Sequence, residues 1–90
     1  MENQTRTIEE IRGTIRAARD SVWVIEDTLE KLAVGETPNQ QHQGNLERNV
    51  GHLEIVVAAQ DIQDSGEDIA DLHAAIAAGQ AKLAENIWTQ

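Results

Sequence analysis

Three histidines, two serines and a run of carboxylates are the residues of this chain that could do chemistry, and their spacing argues against most of it. A carboxylate-bridged metal centre in a helical bundle needs Glu-x-x-His on facing helices. The residues three before His42, His52 and His73 are Asn39, Asn49 and Ala70, and those four before are Pro38, Arg48 and Ile69. No histidine has a carboxylate one turn behind it, and no two histidines lie one turn apart. His42 and His52 are therefore expected at the surface or a helix edge, and no metal or other cofactor is expected.

Nucleophilic catalysis fares no better. There is no cysteine, Ser21 falls inside a helical pattern, and Ser65 reads as a helix cap. A nucleophile needs a base, and a base needs an orienting group; neither is placed by any motif here. Asp61-Ile62-Gln63-Asp64-Ser65-Gly66 lacks the alternating oxygen ligands of a calcium loop. The chain is read as a non-enzyme.

Two surfaces remain. Arg12, Arg16 and Arg19 recur at spacings of four and three, and Trp23 extends the row by four more. Such a stripe suits an acidic protein partner, with Trp23 as its anchor. It equally suits pairing with carboxylates of a neighbouring helix. The second surface is acidic: six carboxylates and no basic residue fall between Glu54 and Asp71. Asp64, Glu67, Asp68 and Asp71 are its candidate partner-binding residues. They would either face a basic groove on another protein, imitating nucleic-acid phosphates, or form a solvated face partly paired with the arginines.

Composition narrows the class of partner. Sixteen acidic against seven basic side chains give a formal charge of −9. Direct binding to nucleic acid or anionic lipid is not expected, because both require cationic side chains to displace phosphate counterions. No apolar run reaches the length of a membrane span. The opening MENQTRTIEE lacks the basic and apolar regions of a signal peptide, so a cytoplasmic protein is expected. Asn3-Gln4-Thr5 fits the glycosylation triplet and, without such a signal, is read as chance.

The elements that would carry these residues are helical. Ile8, Ile11, Ile15, Ala18, Val22, Ile25, Leu29 and Leu32 alternate spacings of three and four, the seam of a heptad repeat. Thr7 with Glu10 offers a capping box, and Gly35 a left-handed stop, so a helix is predicted over 6–34. Thr37 as N-cap, Pro38 as first helical residue and Gln40 as box partner start a second helix over about 38–63, after a turn at 35–37. Leu46, Val50, Leu53 and Val57 form its seam, and Ile55, Ala58 and Ile62 a second apolar row. Asp64-Ser65-Gly66-Glu67-Asp68 carries cap and turn signals, yet Ile55, Ile62, Ile69, Ile76 and Leu83 repeat every seven residues through it. Either a third helix follows over about 65–88, capped by Asp64 or Ser65, or the second continues unbroken; the cap signals favour the break. Ala and Gly79 in this last segment would let another helix approach closely.

The predicted fold is a single all-α domain, an antiparallel helical hairpin packing as a four-helix bundle or coiled coil in an oligomer. A two-helix hairpin leaves apolar surface wet at about 25 cal/mol per Å². Ile8, Ile11, Ile15, Val22, Ile25, Leu29 and Leu32 are accordingly expected to form the seam of a homo-oligomer, most simply a dimer. The function expected from these features is protein–protein interaction by a self-associating adaptor or structural module. The alternative is an acidic inhibitor of a nucleic-acid-binding protein, of the anti-restriction or anti-CRISPR type.

Overall fold

A computed structural model describes residues 6–88, so the Asn3-Gln4-Thr5 triplet lies outside the described residues. Among these residues all regular structure is helical: α1 (Ile8–Ala33), α2 (Gln40–Ala58), α3 (Gln60–Asp64) and α4 (Ala70–Leu83). The Cα frame measures 47 × 24 × 16 Å.

Helix α1 is set by local chemistry at both ends. Thr7 accepts from the Glu10 amide while the Glu10 side chain accepts from the Thr7 amide, a complete capping box. At the other end the Glu36 amide donates to the Lys31 carbonyl and the Gly35 amide to Leu32. This is a Schellman closure, and it requires the positive φ of 108° that Gly35 adopts. The second helix starts at Gln40, two residues later than Pro38. Its cap is Asn39, whose side chain accepts from the His42 amide at 2.9 Å, and not Thr37. Asn is the stronger cap, and Pro38 holds the residue before it in extended backbone instead of opening the helix.

The expected helix over 38–63 breaks at Ala59, which is extended with φ −67° and ψ 129°. The reason lies in helical phase. Ile55 and Ile62 are seven residues apart, so an unbroken helix would aim both at solvent. With the break, Ile62 is 1% exposed while Ile55 stays 74% exposed. The row Ile55, Ala58, Ile62 is therefore not a second buried face.

The predicted interruption at Asp64–Gly66 is present, with Gly66 at φ 78°. Ser65 does not cap α4. Its hydroxyl donates to the Ile62 carbonyl and accepts from the Glu67 amide, closing α3. The first turn of α4 is held by Asp68, whose carboxylate accepts from the Ala70 amide at 3.0 Å. That helix ends at Leu83, not near residue 88. Trp88 folds back, donating its indole N–H to the Lys82 carbonyl and packing against the core.

Arg6 meets Asp61, which places the start of α1 beside the end of α2, and the two helices run antiparallel. Arg12 meets Glu67 and Arg19 meets Asp71, so α4 runs parallel to α1. The result is an up-down-up arrangement of three long helices with α3 as a corner. The core is Ile11, Ile15, Ala18, Val22 and Ile25 of α1, Leu46, Val50, Leu53 and Val56 of α2, Ile62, and Leu72, Ala75 and Ile76 of α4.

Most of the α1 row expected to form an interface between copies packs within the chain itself. Ile11, Ile15, Val22 and Ile25 are buried, and Leu29 and Leu32 half-buried, within one chain; only Ile8 is exposed, at 42%. A third helix from the same chain supplies the cover that a two-helix hairpin would have lacked. Gly79 makes its approach possible, because a Cβ there would lie 2.5 Å from Val50 Cγ2.

Candidate functional site

The two surfaces singled out by charge are brought together, largely against each other. Arg12 Nε donates to Glu67 Oε2 at 3.1 Å. Arg19 donates through Nε to Asp71 Oδ2 at 2.7 Å and through Nη2 to the Asp68 carbonyl at 3.0 Å. The Arg19 guanidinium holds the Asp71 carboxyl below its ordinary range, and the carboxylate in turn raises Arg19. Of the four acidic candidates, Glu67 and Asp71 are thus paired with arginines and Asp68 holds the start of α4. Asp64 is exposed and accepts from Gln60.

Arg16, midway along the stripe, is exposed and makes no ion pair among the described residues. It lines a cleft of about 200 Å³ between α1 and the α3–α4 connection, together with Arg12, Ile15, Arg19, Glu67 and Asp68. Trp23 follows Arg19 by one turn on the same flank and is 64% exposed. Ala74 and Ala78 on α4 are also exposed. The α1 flank therefore presents a guanidinium with no ion pair among the described residues and a largely exposed indole.

A tighter ion pair lies at the other end and was not legible as a pair. Arg6 donates through Nε and Nη2 to both Asp61 oxygens at 2.9 and 2.8 Å, and through Nη1 to Thr14 Oγ1 at 3.1 Å. The Arg6 side-chain hydrogen bonds lower the Asp61 carboxyl from 3.8 to about 2. No signal beyond opposite charge joins residues 55 positions apart. The sign of the consequence is definite. A depressed carboxyl stabilises the fold above its unfolded value, and that contribution is lost as pH falls from about 4 through about 2. Asp61→Asn should lower the urea midpoint at pH 6, with the gap to wild type closing by pH 2. Parallel curves across that window would show that the pair does not hold α3.

The histidines do not form a centre. His42 is buried, not at the surface, because its position on α2 is in phase with Leu46, Val50 and Leu53. Its Nε2 lies 3.1 Å from Glu36 Oε1, and its buried Nδ1 has no partner among the described residues. His52 and His73 are exposed. No group of three or more metal-capable side chains occurs among the described residues. No described helix is long and apolar enough to cross a membrane.

No family model matches the chain, and no curated protein or solved structure is measurably similar to it.

Proposed function

We propose that this chain is a non-enzymatic interaction module that works by packing its α1–α4 flank against another protein. The observation that carries the reading is Trp23. Trp23 is the largest apolar side chain on α1, and its indole is 64% exposed although it lies one turn beyond Arg19, on the same helix whose Ile11, Ile15, Val22 and Ile25 are buried. Large aromatic side chains with a neighbouring arginine dominate binding energy at protein interfaces. Trp23 sits on the same face as Arg16, which makes no ion pair among the described residues.

The partner is a host protein or a second copy of the chain. With the α1 seam buried internally, a homodimer would use Trp23 and the exposed alanines of α4. The acidic-inhibitor reading is weaker, because Glu67, Asp68 and Asp71 are engaged within the chain and would have to be released to face a basic groove.

Trp23→Ala combined with Arg16→Ala tests the proposal. Both residues are exposed, so helicity by circular dichroism should be unchanged. Capture of partners from an extract of the native source, or self-association by sedimentation, should fall at least about tenfold. Equal capture and equal association by wild type and variant would refute it.

A further inference from the structure

The polar links between distant parts of the chain are unevenly placed. Arg6, just ahead of α1, and Arg12 and Arg19 on it all reach the segment from Asp61 to Asp71. Among the described residues no side-chain hydrogen bond or ion pair joins α1 to α2, which meet through apolar side chains. The three arginine pairs differ in shelter. The Asp61 side chain is 15% exposed and adjoins the buried Ile62, whereas that of Asp71 is 42% exposed. Gly66, at φ 78°, separates the sheltered pair from the two outer ones. Beyond it, α4 adds Leu72 and Ile76 to the core as large buried side chains. α1 adds Ile11, Ile15, Val22 and Ile25, and α2 Leu46, Val50, Leu53 and Val56. Gly79 faces Val50 and Ile25, brings no side chain to that contact, and lowers the intrinsic stability of α4 as a helix. The polar link from α4 to α2 runs between Gln80 and Glu54, both exposed.

We propose that α4 is a hinged cover, which leaves α1 and α2 as one unit about Gly66 while α3 stays fastened by Arg6 and Ile62. Its outer ion pairs are exposed, and exposed pairs add little stability in water. The hold that remains is the burial of Leu72 and Ile76. Glycine absorbs the change of backbone angles that a hinge demands. Trp88, bonded to the Lys82 carbonyl, travels with the helix. Once free, a helix of 14 residues is marginal in water, so its amides lose their protection. The α1–α2 hairpin keeps its own apolar contact, and opening uncovers it at Ile25 and Val50. Such units open at a lower free energy than the whole domain. Opening requires nothing of the Trp23 flank and occurs whether or not that face binds a partner.

Amide hydrogen exchange of the whole chain at pH 6, in low and rising urea, tests the hinge. A partial opening exposes less surface than global unfolding and so depends less on urea. Amides from Ala75 to Lys82 should exchange together, at least about tenfold faster than those of Ile25 and Leu53 after correction for intrinsic rates. Their urea dependence should be the smaller. Two variants locate the hinge. Arg19→Gln removes a pair that opening breaks, and should speed the α4 amides about two- to fivefold, the range for an exposed pair. Asp61→Asn removes a pair that the open form keeps. It should speed exchange at Ile25 and Leu53 and leave the α4 amides unchanged. Rates and urea dependence in α4 equal to those of Ile25 and Leu53 would overturn the proposal, since the domain would then open only as a whole. Exchange graded inward from Leu83 without urea dependence would overturn it as simple fraying. Equal acceleration of α4 by both variants would also overturn it, moving the hinge to Ala59.

Discussion

Ile25→Ala should lower the stability of the folded chain by about 2–5 kcal/mol, the range for truncating a fully buried branched aliphatic side chain. Ile25 is 0% exposed and sits where α1, α2 and α4 converge. Its Cγ2 is 3.7 Å from the point a Cβ on Gly79 would occupy, beside Val50. Domains of this size have roughly 5–15 kcal/mol in total, so the loss would be a large share of the whole. Urea unfolding should show the same loss at protein concentrations tenfold apart, because every partner of Ile25 belongs to its own chain. Ile8→Ala, at the exposed end of the seam, should cost about 1 kcal/mol or less. A loss that shrank or grew with concentration would return the seam to an interface between copies.

Gly79→Ala is the second large effect, and its sign opposes intrinsic propensity. In an open helix the change would stabilise by about 1 kcal/mol. Here the new methyl would overlap Val50 Cγ2 at 2.5 Å, and a β-branched side chain cannot swing clear. Forcing α4 away from α2 should give a net loss of about 1–3 kcal/mol. Two comparisons isolate the cause. Gly51→Ala, with no neighbouring atom within 4 Å of the new Cβ, should gain about 0.5–1 kcal/mol. Val50→Ala in the Gly79→Ala background should cost less than Val50→Ala alone, a coupling that only direct contact produces. Equal responses at Gly51 and Gly79 would show that the two helices do not touch there.

What could be read from the residues alone was whatever is decided within a few turns of chain. The Thr7–Glu10 box, the α1 seam and the Gly35 stop are short-range signals, and the structure shows all three. The start of α2 turned on ranking two adjacent cap candidates, and the stronger amide oxygen of Asn39 prevailed over Thr37. The break at Ala59 had no local signal at all: Val56-Val57-Ala58-Ala59 is compatible with continued helix. Its cause is the need to bury Ile62, which depends on the far side of the core. His42 is buried despite its polarity, because its spacing from Leu46 and Val50 matches the α2 seam and helical phase decides its direction.

The candidate site shows the same division. Both charged surfaces were visible as compositions, and pairing of the arginines with a neighbouring helix was one of two readings. Which arginine would be left over was not visible, because it depends on α4 running parallel to α1 with Glu67 level with Arg12. That register is set by the corner at α3, which Arg6 fastens through Asp61. The α1 row lies in the core, where α4, the third helix that the cap signals favoured, covers it together with α2.

An isotope-filtered nuclear Overhauser experiment at the point where Ile25, Val50 and Gly79 meet tests that arrangement most directly. Methyl signals of Ile25 should show cross-peaks to Val50 methyls and to the Gly79 α-protons in uniformly labelled protein. Those cross-peaks should vanish when only contacts between labelled and unlabelled chains are selected. Their survival in the filtered spectrum would place the partner helices in another molecule and contradict a core closed within one chain.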